Sequence, residues 1–120
     1  MIWAFRSQNI DERKILQNRI FTRPTIITNL QEEIIAVNNK WELMCLFDAE
    51  EAFGRKPSLL QGELTDIDVA TTFGNGVRND YLTFATLINY KKDKTPFINC
   101  IFGYQVGDIL IAETYAEKSL

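Results

Sequence analysis

Gly54-Arg55-Lys56-Pro57-Ser58-Leu59-Leu60-Gln61-Gly62, followed a short way on by Thr65-Asp66, is the most informative stretch of this chain. Pro57 is placed to open a helical turn, because its ring fixes φ and its missing N–H costs nothing at a first helical position. Leu59 and Leu60 give that turn an apolar side, and Gly62 ends it. Asp66 or Asp68 can then cap a helical segment running from Val69 to about Phe73. Gly74-Asn75-Gly76 is expected to disturb its end, since glycine raises the entropy cost of staying helical.

Upstream, the β-branched runs Thr25-Ile26-Ile27-Thr28 and Glu33-Ile34-Ile35-Ala36-Val37 flank a polar Asn29-Leu30-Gln31-Glu32 and predict a hairpin. Asn39 with Glu42, and Asp48 with Glu51, have the spacing of N-cap boxes and predict two short helices. Downstream, residues 81–90, 95–104 and 109–115 read as strands divided by Lys91-Lys92-Asp93-Lys94 and Val106-Gly107-Asp108. Two strands, a string of short helices and three more strands fit an α+β fold, with a five-stranded antiparallel sheet and its helices gathered on one face. Before this unit, Asn9-Ile10-Asp11-Glu12 has the form of a helix start, and Pro24 is the stop. Residues 1–23 are therefore expected as an N-terminal flanking helix and residues 24–120 as the domain. The apolar start Met1-Ile2-Trp3-Ala4-Phe5 needs a partner, either the domain's own sheet or a second copy of it.

Composition narrows the function. The chain has 120 residues, 46% hydrophobic and 24% charged, which suits one compact soluble domain. With 13 basic against 16 acidic residues there is no positive field to attract nucleic acid. No apolar run is long enough for a membrane span and no basic-then-apolar leader opens the chain, so a cytoplasmic protein is expected. Histidine is absent, which removes His-ligated haem, Ser-His-Asp triads and His-based zinc sites. Cys45 and Cys100 read as two buried thiols and not as a metal or disulfide framework. The acidic clusters sit where turns and helix starts account for them, so no catalytic residue and no metal site is expected.

The opening stretch resembles the G-R-N-C-R-F-L-Q-G…T-D signature of LOV domains, the flavin-binding branch of the PAS superfamily. Phe47-Asp48-Ala49-Glu50-Glu51-Ala52-Phe53-Gly54-Arg55 is similar to the family's Y-S-R-E-E-V-L-G-R. Residues 87–99 likewise resemble L-L-N-Y-R-K-D-G-T-P-F-W-N. The resemblance implies that Asn89 and Asn99 face the polar edge of a flavin ring, with Gln61 beside the ribityl chain. It also exposes departures: Pro57 stands where the family has its reactive cysteine, and Lys56 replaces a ribityl-binding asparagine. Ser58 and Gly74 stand where two phosphate-binding arginines are expected, and Thr114 where the last strand carries a signalling glutamine. Each lost Arg–phosphate contact is worth about 1.5–3 kcal/mol, so FMN binding is expected to weaken by roughly two to four decades.

The expectation is thus a sensory and regulatory PAS domain without cysteinyl-flavin photochemistry, most simply with no cofactor. It would signal as a homodimer, through a sheet face and the N-terminal helix, to a covalently attached effector domain. Two alternatives stand beside it. One is a flavoprotein holding FMN or riboflavin weakly and non-covalently through Lys56, Gln61, Asn89 and Asn99. The other is a structural interaction module whose pocket is filled by Leu60, Phe73, Leu87 and Ile101.

Overall fold

The computed structural model describes residues 3–5 and 19–120, with side chains described from residue 19 onward. Five long or hairpin strands form the expected antiparallel sheet: β2 (Thr25–Asn29), β3 (Ile34–Asn38), β4 (Thr83–Tyr90), β5 (Pro96–Val106) and β6 (Ile109–Ser119). A sixth, β1 (Trp3–Phe5), joins at the edge to give the order β1-β3-β2-β6-β5-β4. The start of the segment expected as a flanking helix is therefore a strand, with Trp3 opposite Asn38 and Phe5 opposite Ala36. Pairing there satisfies backbone groups that the outer side of β3 would otherwise leave open. Most of the helix expected from Asn9 lies outside the described residues, and the part of it that is described, residues 19–23, is not helical.

Alternation along the strands divides the apolar residues between two faces. On the helix side, Ile26, Ile34, Val37, Trp41, Met44 and Phe97 pack with Leu60 into one buried cluster. On the other, Phe21 packs with Ile27, Ile35, Ile109 and Ile111. Farther along that second face, the Phe102 ring lies about 6 Å from each of Phe84, Tyr104 and Tyr115, and Phe84 lies 6.2 Å from Tyr115. Phe84 remains 62% and Tyr115 49% exposed, so this aromatic end of the sheet is open.

The first helix, α1 (Asn39–Cys45), is capped by Asn38 and not by Asn39. Asn38 Oδ1 accepts from Trp41 N at 3.0 Å and from Thr25 N at 2.9 Å, while its Nδ2 donates to Arg23 O at 2.8 Å. One buried amide thus starts a helix and fixes the start of β2, a double duty that Asn39 on the surface does not perform. The next, α2 (Ala49–Ala52), carries the expected capping box between Asp48 and Glu51. Pro57 opens a 3₁₀ turn over Pro57–Leu60.

The last helix, α3 (Ile67–Arg78), is capped by Asp66 and runs straight through Gly74 and Gly76. The expected break fails because tertiary packing uses the missing side chains. A Cβ on Gly76 would lie 2.5 Å from Thr83 Oγ1, and one on Gly103 beneath the helix 2.6 Å from Val77 Cγ2 and 2.7 Å from Phe73 Cζ. Such close approach offsets the roughly 1 kcal/mol that each helical glycine costs.

The segment between α2 and α3 hangs between two strands. Gly54 takes φ +79, a left-handed conformation that glycine adopts without strain. From there its N–H donates to Ile34 O, and Arg55 O accepts from Ile34 N. At the far end, Gly62 sits against Tyr90, where a Cβ would come within 2.4 Å of the ring. Thr65 Oγ1 accepts from Gly62 N at 3.0 Å and donates to Ile88 O at 2.5 Å. The opening stretch is therefore a strap from β3 to β4, and the space beneath it is not filled.

Candidate functional site

A cavity of about 300 Å³ lies between the sheet, this strap and α3. That is the lower end of the range for small-molecule sites. Leu60, Phe73, Leu87 and Ile101 line it and leave it open, which removes the premise of a side-chain-filled pocket. Lys56, Gln61, Asn89 and Asn99 all line the same cavity, as do Pro57, Ser58, Gly74 and Thr114.

The polar wall comes from three neighbouring strands. Asn89 on β4, Asn99 on β5 and Thr114 on β6 are only 5%, 3% and 7% exposed. Thr114 Oγ1 donates to Asn99 Oδ1 at 2.8 Å, and Asn99 Nδ2 donates to Asn89 Oδ1 at 2.8 Å. Buried polar groups persist only when partnered, and this chain partners all three. Its placement is helped by a register shift between Cys100 and Ile101, which pairs Ile101 with Thr114 and Cys100 with Ala116. Carbonyl and amide groups of adjacent asparagines present both donors and acceptors to a ligand edge.

The opposite wall is α3, and there the structure adds residues that the sequence did not signal. Arg78 and Glu32 both line the cavity, and Arg78 Nη1 donates to Glu32 Oε1. The guanidinium lies over Gly74: a Cβ at Gly74 would be 3.4 Å from Arg78 Nη1 and 2.9 Å from Glu32 Oε1. A helical side chain leans toward the N-terminus, so a residue four positions after Gly74 covers its surface. The spacing from Gly74 to Arg78 was readable, but an expected helix end near Phe73 hid it.

Neither cysteine lines the cavity. Cys100 faces the other side of β5, where Thr86 Oγ1 donates to its sulfur at 3.9 Å. Cys45 is fully buried within the helix-side cluster, and that burial pushes its thiol up to about 12. No group of three or more potential metal-ligating side chains occurs among the described residues.

An antiparallel sheet covered on one face by short helices and a strap, with a polar-walled cavity between, is the PAS-type α+β fold. Its form is that of LOV domains. The LOV domain of the Erythrobacter litoralis EL346 blue-light activated histidine kinase matches with a TM-score of 0.76 at 21% identity, over 84% of this chain and 100% of that one. The longer structure of the same kinase matches at 0.72 and 23% identity, over 78% of this chain but only 34% of that one. The Rhodobacter sphaeroides LOV protein matches at 0.77 and 15% identity, over 91% of this chain and 67% of that one. At these identities the likeness is one of fold. The chain matches no protein-family model and no curated protein.

Proposed function

We propose that this chain is a sensory PAS domain that holds a planar heteroaromatic ligand, a flavin ring, without a covalent bond and passes the state of the cavity to a linked effector. The observation that carries this reading is the open cavity walled by the Asn89–Asn99–Thr114 chain. In this reading the two asparagines meet the polar edge of the ring, and Gln61 and Lys56 accompany its side chain at the strap. Pro57 on the cavity wall and the remote cysteines support a non-covalent site without adduct chemistry. The domain performs no catalysis of its own.

The route out of the cavity begins at Thr114. Its hydroxyl belongs to the polar wall while its backbone N–H donates to Pro24 O at 2.9 Å, and the neighbouring Glu113 lies 3.7 Å from Arg23 Nη1. A ligand that reorganises the asparagine chain thus acts on the residues where the N-terminal segment enters the sheet. The open aromatic end of the sheet, Phe84 with Phe102 and Tyr115, supplies a surface for homodimer contact. An effector attached in the complete protein would read that contact, as a kinase is joined to the E. litoralis LOV domain.

The test is the absorption spectrum of purified protein incubated with excess riboflavin and then desalted. A retained, vibrationally structured blue band that is lost in Asn99→Leu supports the reading. A colourless protein would sink the flavin assignment.

A further inference from the structure

Among the described residues three charged side chains line the cavity: Glu32, Lys56 and Arg78. Lys56 is exposed and stands at the strap, where water screens it. Arg78 is the cation held against the protein, with its side chain about one-third exposed at 33%. Its fork is already taken, since Nη1 donates to Glu32 Oε1 and Nη2 to Asn75 Oδ1.

Glu32 reaches that position at a conformational cost. It takes φ +65 in the β2–β3 turn, a left-handed conformation that disfavours a residue with a long side chain. Asn29 holds the turn in shape by accepting from Gln31 N at 3.0 Å and Glu33 N at 2.9 Å through its side chain. The missing side chain of Gly74 supplies the room in which carboxylate and guanidinium meet. A strained turn residue, a glycine gap and a guanidinium reaching back one helical turn thus converge on one ion pair at the cavity wall.

We propose that Glu32 is a built-in counter-anion for Arg78, so that the cavity selects an uncharged ligand over its phosphorylated form: riboflavin over FMN. This deepens the flavin reading and rests on it. A phosphate approaching Arg78 must displace Glu32 and leave a carboxylate beside a doubly charged group, whereas a neutral ribityl end leaves the pair intact. The pair thereby does by charge what a steric block does by shape.

Titration of the protein with riboflavin and with FMN, read by flavin fluorescence quenching, tests this in wild type and in Glu32→Gln. The wild type is expected to bind riboflavin more tightly than FMN. Glu32→Gln should tighten FMN relative to riboflavin by about 10- to 100-fold, the worth of a charge-assisted contact. Adding Arg78→Gln to that variant should abolish the gain. A wild type that prefers FMN, or a preference that Glu32→Gln leaves unmoved, would overturn the proposal. A second measurement needs no flavin: the thermal midpoint in inorganic phosphate against chloride at matched ionic strength. Glu32→Gln should be stabilised by phosphate and wild type should not, and an equal response in both overturns the counter-anion role. Flavin bound by neither protein would end the flavin reading while the phosphate comparison still decides the role of Glu32.

Discussion

Replacing Asn99 by Leu and Thr114 by Val, singly and together, isolates the polar chain on which the site is built. Asn99→Leu removes two buried hydrogen bonds and strands Asn89 Oδ1 and the Thr114 hydroxyl. The lost bonds are worth about 1 kcal/mol each and the stranded groups about 1 kcal/mol or more each, against roughly 1.5 kcal/mol gained by burying the leucine. The net loss is about 1–3 kcal/mol. Thr114→Val strands Asn99 Oδ1 and costs about 1–2 kcal/mol by the same reckoning. In the double variant neither member of the 99–114 pair is left facing an empty partner, so the combined loss falls short of the sum by about 1–2 kcal/mol. Urea unfolding of ligand-free protein, with m unchanged among the four proteins, measures each term. The midpoint temperatures should move by about 3–6 °C per kcal/mol. Losses that add to within about 0.5 kcal/mol would show that the two side chains are not coupled and would refute the polar wall as described.

Other parts of the account have their own tests. Asn38→Ala withdraws a helix cap and the partner of Thr25 N together, so chemical unfolding should show a loss of about 2–4 kcal/mol, and a loss below about 1 kcal/mol would contradict the double duty assigned to it. Gly76→Ala should destabilise by about 1–2 kcal/mol despite its better helix propensity, because the new methyl meets Thr83, and Thr83→Ala in the same chain should restore most of it. A Gly76→Ala protein more stable than wild type would refute that packing. In a Cys100→Ala variant, Cys45 should react with a thiol reagent in mildly alkaline buffer only as fast as the protein opens, because burial keeps the thiol protonated. Rapid labelling of the native protein would contradict its burial.

Local chemistry that is satisfied locally was legible in the sequence. The β2–β3 hairpin, the Asp48–Glu51 capping box and the Pro57 turn follow from propensity and spacing within a few residues. Asn89 and Asn99 were expected at one site only through the family resemblance, with alternation on β5 adding that Asn99 faces the helix side, and neither sequence position announced that the two amides pair with each other. What escaped depends on contacts between distant segments. Helix α3 continues through two glycines because Thr83 on β4 uses the gap at Gly76 and the Glu32–Arg78 pair uses the gap at Gly74. Arg78 and Glu32 are 46 residues apart in sequence, and nothing in either neighbourhood marks the other as its partner. The strand at Trp3–Phe5 depends on an edge of β3 that exists only once the sheet has formed.

The central claim is that the cavity between α3 and the sheet is a ligand site read by Asn89 and Asn99. The most direct measurement is the nuclear magnetic resonance spectrum of their side-chain amides, identified from single Asn→Ala variants, as riboflavin is added. The account predicts saturable shifts of both amides and of the Thr114 backbone amide, with Phe84 and Tyr115 on the other face little changed. Shifts confined to that outer face, or none at all, would contradict it.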